Sequence, residues 1–232
     1  YQDAVDEKYI SQIKYKEKYF KNLQEKINLY LDKNKEILEV GSYYGVLGNI
    51  LKPNIKSYTG LELSKHGAEF SKKNFNLQIY NETLEQHEKR NVKYDIIIMT
   101  DVIEHFYNPY KILSIVKNLL KKDGIFIATT FNMDSFYSKF TGHRYHWILP
   151  FHLFYFSNST IKRIGEKYNL KLFKIKSDPR YTSCGYVLER LKSIFPKFKF
   201  IFNFLIKLKF LNSFPIKVNL GDLNIYFFKN SN

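Results

Sequence analysis

Apolar residues along this chain fall into short unbroken runs, separated by polar stretches with a helical period. The runs "EILEV" (36–40), "SYTGLEL" (57–63), "YDIIIMT" (94–100) and "GIFIATTF" (124–131) have strand length and are bounded by turn residues. Two later runs, "LKLFKIK" (170–176) and "LNIYFFK" (223–229), predict closing strands. Between strands, "NPYKILSIVKNLLKKDG" places Ile112, Ile115, Val116 and Leu119 on one helical stripe, with Pro109 near its start and Asp123-Gly124 as its stop. Ahead of them, Ile10, Ile13, Tyr19, Phe20, Leu23, Ile27 and Leu31 predict a leading helical segment within residues 1–34, followed by one main domain over 35–232. Strand alternating with helix makes this an α/β protein whose parallel sheet is covered on both faces.

Two stretches break the rhythm. Residues 132–158 are dense in aromatics and histidines and follow a strand's C-terminal end, where open α/β sheets bind ligands, so they read as a substrate lid. Residues 177–220 read as a helical insert, and "YVLERLKSIFPKFKFIFNFLIKLKFLNSFPI" (186–216) within it mixes lysine with phenylalanine.

Composition adds two constraints. One cysteine, Cys184, excludes an intrachain disulfide, and no apolar run approaches a bilayer span, so the cytoplasm is the expected compartment. A formal net charge of +15 favours nucleic acid, anionic lipid or phosphorylated partners, although AT-rich coding also enriches lysine on solvated faces.

The first strand runs into "EVGSYYG". Gly41 and Gly45 permit a tight turn in which backbone approaches a ligand. Glu62 ends the next strand about 20 residues on, where an acid accepts ribose hydroxyls. Glu82 follows a further strand candidate and is positioned to accept from an adenine amino group. Three acids at successive strand ends bracket an adenosine.

On these residues, and on "ILEVGSYYG", "YTGLELS", "YDIIIMTDVIEHFYNPYKILSIVKNLLKKDGIFIATTFN" and "HLFYFSNSTIKRIGEKYNLKLFKI", the chain resembles the class I S-adenosylmethionine-dependent methyltransferases of the ubiquinone-methyltransferase-like group, over residues 35–176. The resemblance implies a Rossmann-like methyltransferase fold, with a mostly parallel sheet, helices on both faces, an antiparallel last strand and the insert before it. It implies that Glu39, Gly41, Ser42, Tyr43 and Gly45 surround the methionine part of the cofactor and that Glu62 and Leu63 hold the ribose. Glu82 and Thr83 would meet adenine, and Thr100 and Asp101 would lie beneath the sulfonium. The chain departs from the family pattern at Tyr43, commonly glycine, and at Phe131, commonly proline.

Methyl transfer by direct displacement needs alignment and, for a hydroxyl acceptor, a base. His105 and His152 match family positions and Asp101 stands beside them, while His143 and His146 are further candidates. Asn132, Arg144, His146 and Trp147 are the candidate acceptor contacts, Arg144 for a phosphate or carboxylate and Trp147 for a stacked ring. The turn "DVIEH" sets Asp101, Glu104 and His105 on one face of a helical turn, with His152 arriving from the lid. The expected site is metal-free, with Glu104 and His105 bracing the loop; the alternative is a divalent cation held by these four, since some relatives hold a metal with a similar set.

The sequence therefore reads as a methyltransferase, monomeric or homodimeric, that methylates an oxygen of a small molecule, saccharide or lipid-linked precursor. Residues 186–216 offer a peripheral contact with the inner face of the membrane, a buried hydrophobic hairpin of helices, or a dimer contact. An RNA methyltransferase is the alternative that the charge supports, although no Asn/Asp-Pro-Pro-aromatic motif appears. A noncatalytic module that keeps the cofactor fold is the third reading.

Overall fold

The computed structural model describes residues 13–208 and 214–231; Ile10 of the leading apolar set and residues 209–213 of the insert lie outside them. In chain order the elements are α1 (Ile13–Ile27), β1 (Glu36–Val40), α2 (Val46–Leu51), β2 (Ser57–Leu61), α3 (Lys65–Phe75), β3 (Gln78–Tyr80) and α4 (Leu84–Glu88). They continue with β4 (Tyr94–Thr100), α5 (Pro109–Leu119), β5 (Leu120–Phe131), α6 (Phe136–Thr141), α7 (Asn158–Glu166) and β6 (Leu170–Ser177). The last are β7 (Arg180–Ser183), α8 (Cys184–Ile194), α9 (Lys199–Lys207), β8 (Pro215–Val218) and β9 (Leu223–Asn230).

Among the described residues, seven strands form one sheet in the order β3-β2-β1-β4-β5-β9-β6. The pairs from β3 through β5 are parallel, and β9 inserts antiparallel to both β5 and β6. This is the Rossmann-like arrangement with an antiparallel last strand.

The unbroken apolar runs follow from burial on both faces. Leu38, Ile97, Met99, Tyr226 and Phe228 pack with Ile112, Val116 and Ile161 on one side. Their neighbours Ile37, Ile96, Ile98, Ile225 and Phe227 pack with Leu23, Ile27, Leu47 and Leu51 on the other. The leading helix α1 thus belongs to the sheet's own core, through Leu23 and Ile27.

Two expectations are corrected. Helix α5 is capped by Asn108, whose side chain accepts from the Lys111 amide at 3.0 Å, but it ends at Leu119, before Asp123-Gly124. Those two residues lie inside the longer β5, with Asp123 at φ +61° and the β4–β5 register shifted between Tyr94 and Ile96. The insert is not wholly helical either. Strands β7 and β8 pair antiparallel as a ribbon, with helices α8 and α9 between them. No residue of α9 is buried.

Candidate active site

The turn after β1 is strained. Gly41, Tyr43 and Gly45 take φ of +73°, +47° and +71°, the left-handed region that costs a residue with a Cβ about 1–2 kcal/mol. Gly41 has a second reason to be glycine, since a Cβ there would stand 2.6 Å from Val102 Cγ2. The turn is tied to β2 by Gly41 and Ser42 amides donating to the Leu61 carbonyl at 2.9 and 3.0 Å.

Glu62 closes the same turn, its carboxylate accepting from the Tyr43 amide at 2.7 Å and the Ser64 amide at 2.6 Å. Burial pushes this carboxyl up while the amides pull it down. Glu39 is buried and accepts the Tyr58 hydroxyl at 2.5 Å; burial pushes it up to about 8. These residues, with Thr100, Asp101 and Val102, line a cleft of about 300 Å³ whose remaining wall is Lys16, Tyr19, Phe20 and Arg180. Of the expected cofactor residues, the cleft gathers Glu39, Gly41, Ser42, Tyr43, Glu62, Thr100 and Asp101.

Glu82 and Thr83 do not line it. Glu82 accepts two hydrogen bonds from Arg90, both 2.8 Å, and lies 2.7 Å from His87 Nδ1; Arg90 holds its carboxyl below the usual range. Thr83 caps α4 in a reciprocal pair with Gln86. Asn81 does the work at this corner, its amide donating to the Glu62 and Leu63 carbonyls at 2.7 and 2.9 Å. Leu63 itself is half exposed.

Asp101 sits at φ +55° just past β4, where its carboxylate accepts from Thr129 Oγ1 at 2.9 Å. Arg180, in β7, donates both terminal nitrogens to it at 2.7 Å. Burial alone would raise this carboxyl, but the guanidinium outweighs burial and holds it low. Arg180 also meets Asp178 at 2.9 Å and lies over the Tyr19 ring, whose hydroxyl donates to Asp178 at 2.9 Å. One buried network thus joins α1, β4 and the insert. Arg180, Asp178 and Tyr19 carried no motif in the sequence.

A second cavity, of about 490 Å³, shares Lys16, Tyr19, Asp101 and Arg180 with the cleft. Its other walls include Tyr137, His146 and Trp147 from the lid, and Tyr186 and Arg190 from α8. His146 and Trp147 thus line a cavity that adjoins the cleft. His146 Nδ1 lies 3.2 Å from the Tyr137 hydroxyl, and burial together with Arg190 lowers the imidazole to about 4. Asn132 and Arg144 stand elsewhere. Asn132 is buried, with its side chain accepting the Asp134 amide at 3.1 Å. Arg144 donates to the Ile194 carbonyl at 3.2 Å, pinning the lid to α8.

Glu104, His105 and His152 converge, each offering a ligand atom within 4.8 Å of the others. His105 Nδ1 lies 2.9 Å from the Phe151 carbonyl and His152 Nδ1 2.8 Å from the Trp147 carbonyl, which leaves both Nε2 atoms as acceptors. Glu104 is fully buried, and neither carboxylate oxygen has a hydrogen-bond partner among the described residues. Burial, then the charge of Asp101, raises it to about 8. An orphaned carboxylate beside two open imidazole nitrogens fits a divalent cation. Asp101 leaves the expected set of four, because Arg180 occupies both its oxygens. His105 and His152 line neither cavity.

A parallel sheet with an antiparallel β9, and a glycine turn and paired acids at its C-terminal edge, define a Rossmann-like methyltransferase domain. The chain belongs to the family described as "Methyltransferase domain", which it matches over residues 12–175. It is similar to the "Ubiquinone biosynthesis O-methyltransferase" of Glaesserella parasuis serovar 5 (strain SH0165), 28% identical over 108 residues, covering 42% of this chain and 46% of that protein. The match spans less than half of that relative's length. Among solved structures, a SAM-dependent methyltransferase from Archaeoglobus fulgidus superposes with a TM-score of 0.62 at 16% identity, over 97% of this chain and 100% of that one. The N-methyltransferase NodS from Bradyrhizobium japonicum WM9, in complex with S-adenosyl-L-homocysteine, gives 0.60 at 12% identity, over 94% and 87%. At these identities the structural likeness concerns the fold.

Proposed function

We propose that this chain transfers a methyl group from S-adenosylmethionine to an oxygen of a small molecule, saccharide or lipid-linked precursor. The observation that carries the reading is the junction of the two cavities at Asp101 and Arg180. The 300 Å³ cleft suits a nucleoside joined to an amino acid: Glu62 faces it with lone pairs to spare, Gly41 lets the backbone approach, and Thr100 Oγ1 is buried without a partner. The 490 Å³ cavity beside it suits an acceptor of small-molecule size. A concave, aromatic-walled cavity of this size favours that acceptor over a polynucleotide.

S-adenosylmethionine supplies an activated methyl carbon, and this chain's part is alignment and proton removal. Asp101, held by Arg180, is an orienting acid at the junction. His146 is too weak a base at about 4. His152, whose imidazole burial lowers, and His105 line neither cavity, so either serves as base only for an acceptor hydroxyl that reaches past the cavity wall to the Glu104 cluster. The orphaned Glu104 favours a second role for the same cluster: Glu104, His105 and His152 would hold a divalent cation, which would supply Lewis-acid chemistry beside the acceptor cavity.

The membrane contact expected through 186–216 is supported by α9, whose Phe200 and Phe204 are 72% and 65% exposed among lysines. No helix among the described residues is long and apolar enough to cross a membrane. Incubating the protein with methyl-labelled S-adenosylmethionine and fractionated cell extract tests the activity; label recovered in a small or lipid-soluble product supports it, and label in RNA overturns the acceptor class. Phospholipid vesicles added to the same protein should retain it only if they are anionic.

A further inference from the structure

The acceptor cavity holds its charges unevenly. Of its three acids, Asp101 and Asp178 are bonded to Arg180 and Asp222 accepts the Tyr145 hydroxyl at 2.9 Å. Arg190 differs. Its guanidinium donates to the neutral Tyr186 hydroxyl at 2.8 Å and lies 4.9 Å from that ring, and it forms no ion pair among the described residues. The acid one residue before it, Glu189, is engaged by Lys192 at 2.6 Å.

A guanidinium presents five donors in a fixed fork, and one hydrogen bond leaves most of them open. Held half out of water with no counterion, such a group is poised for an oxyanion, which it grips with two parallel bonds. The groups facing it from the lid are uncharged: Tyr137 is raised by burial and His146 is lowered by burial and by Arg190 itself. The surroundings reinforce the sign. Between Glu189 and Asp222 the chain contains no acid, but it contains Arg190, Lys192, Lys197, Lys199, Lys207, Lys209 and Lys217. Lys18 and Lys217 both stand over the ring of Tyr181, another cavity wall, at 5.1 and 5.7 Å. Such a field draws anions toward the opening.

We propose that the acceptor is an anion, carrying a carboxylate or phosphoryl group that Arg190 binds, with an adjoining ring against the aromatic wall of Tyr186 and Trp147. This rests on the 490 Å³ cavity being the acceptor site. It also replaces Arg144 by Arg190 as the residue that recognises acceptor charge.

The test uses the full chain saturated with S-adenosylhomocysteine and titrated with phenyl phosphate, benzoate or benzyl alcohol, probes that share a ring and differ in charge. The expected result is saturable binding of at least one of the two anions, with benzyl alcohol at least about tenfold weaker; the stronger of the two identifies the group as phosphoryl or carboxylate. Arg190→Met should lower anion affinity about tenfold or more while leaving S-adenosylhomocysteine affinity unchanged. Arg190→Gln, which keeps the stem and a donor without the charge, should behave alike and guards against a folding defect in the first variant. Benzyl alcohol binding as well as either anion, or anion binding unchanged in both variants, overturns the proposal. Failure to bind S-adenosylhomocysteine at all would instead overturn the reading of the function beneath it.

Discussion

Arg180 grips Asp101 with two hydrogen bonds of 2.7 Å, joining a strand of the insert to the strand end shared by the 300 Å³ cleft and the 490 Å³ cavity. The insert is therefore wired into the site through one ion pair. Arg180→Met would leave Asp101 without its partner, and Asp178 with it. Because 36% of the Asp101 side chain remains open to the cleft, the loss of stability should be about 1–3 kcal/mol, below that of a dry pair. Chemical denaturation of the single and double variants, with Asp101→Asn as the second change, measures the coupling; additive effects would show that the pair acts separately.

Tyr43 holds a left-handed conformation that glycine takes freely, its ring packs edge-on against Tyr44 at 4.7 Å, and the residue lines the 300 Å³ cleft proposed for the cofactor. Tyr43→Gly should raise thermal stability, from relief of about 1 kcal/mol of strain. It should also weaken S-adenosylhomocysteine binding a few-fold, because part of the cleft wall goes. Binding that is unchanged or tighter would mean that the ring turns away from the ligand.

Glu39 makes stability depend on pH. It titrates near 4.5 when unfolded and at about 8 when folded, so between these values the native state holds one extra proton. Its contribution is complete below 4.5 and declines as pH rises through about 8. Glu39→Gln keeps an acceptor for the Tyr58 hydroxyl but does not titrate. The urea midpoint of the variant should fall less steeply than that of the wild type between about pH 5 and 8.

For the Glu104, His105 and His152 cluster, a titration with Mn²⁺ after EDTA treatment should show one bound ion, and Glu104→Gln should weaken it about tenfold or more. Methyl transfer unaffected by EDTA and by Glu104→Gln would leave the cluster as a brace, with His152 as the base.

The sequence carried the sheet well because its signal is local. Runs apolar on both faces, such as residues 36–40 and 94–100, match β1 and β4 residue for residue. Asp123-Gly124 misled because the same turn chemistry that stops a helix also makes an irregularity inside a strand, where Asp123 takes its positive φ. The places of Glu39, Gly41 and Glu62 on one cleft were legible, since strand–turn geometry fixes where they point. Glu82 was not, because an acid at a strand end looks the same whether it faces a ligand or an arginine eight residues later. Arg180 and Asp101 are 79 residues apart, and no local pattern announces a pair made only when the insert folds back on the sheet.

On the proposed function, Glu62 and the strained turn at Gly41 and Tyr43 form a site for S-adenosylmethionine. Isothermal titration of the full chain with S-adenosylhomocysteine tests it most directly, with NAD as control and Glu62→Ala as variant. One saturable site for S-adenosylhomocysteine, no binding of NAD, and a loss of about tenfold or more in the variant are predicted. Binding of NAD in preference, or equal S-adenosylhomocysteine affinity in wild type and Glu62→Ala, would contradict it.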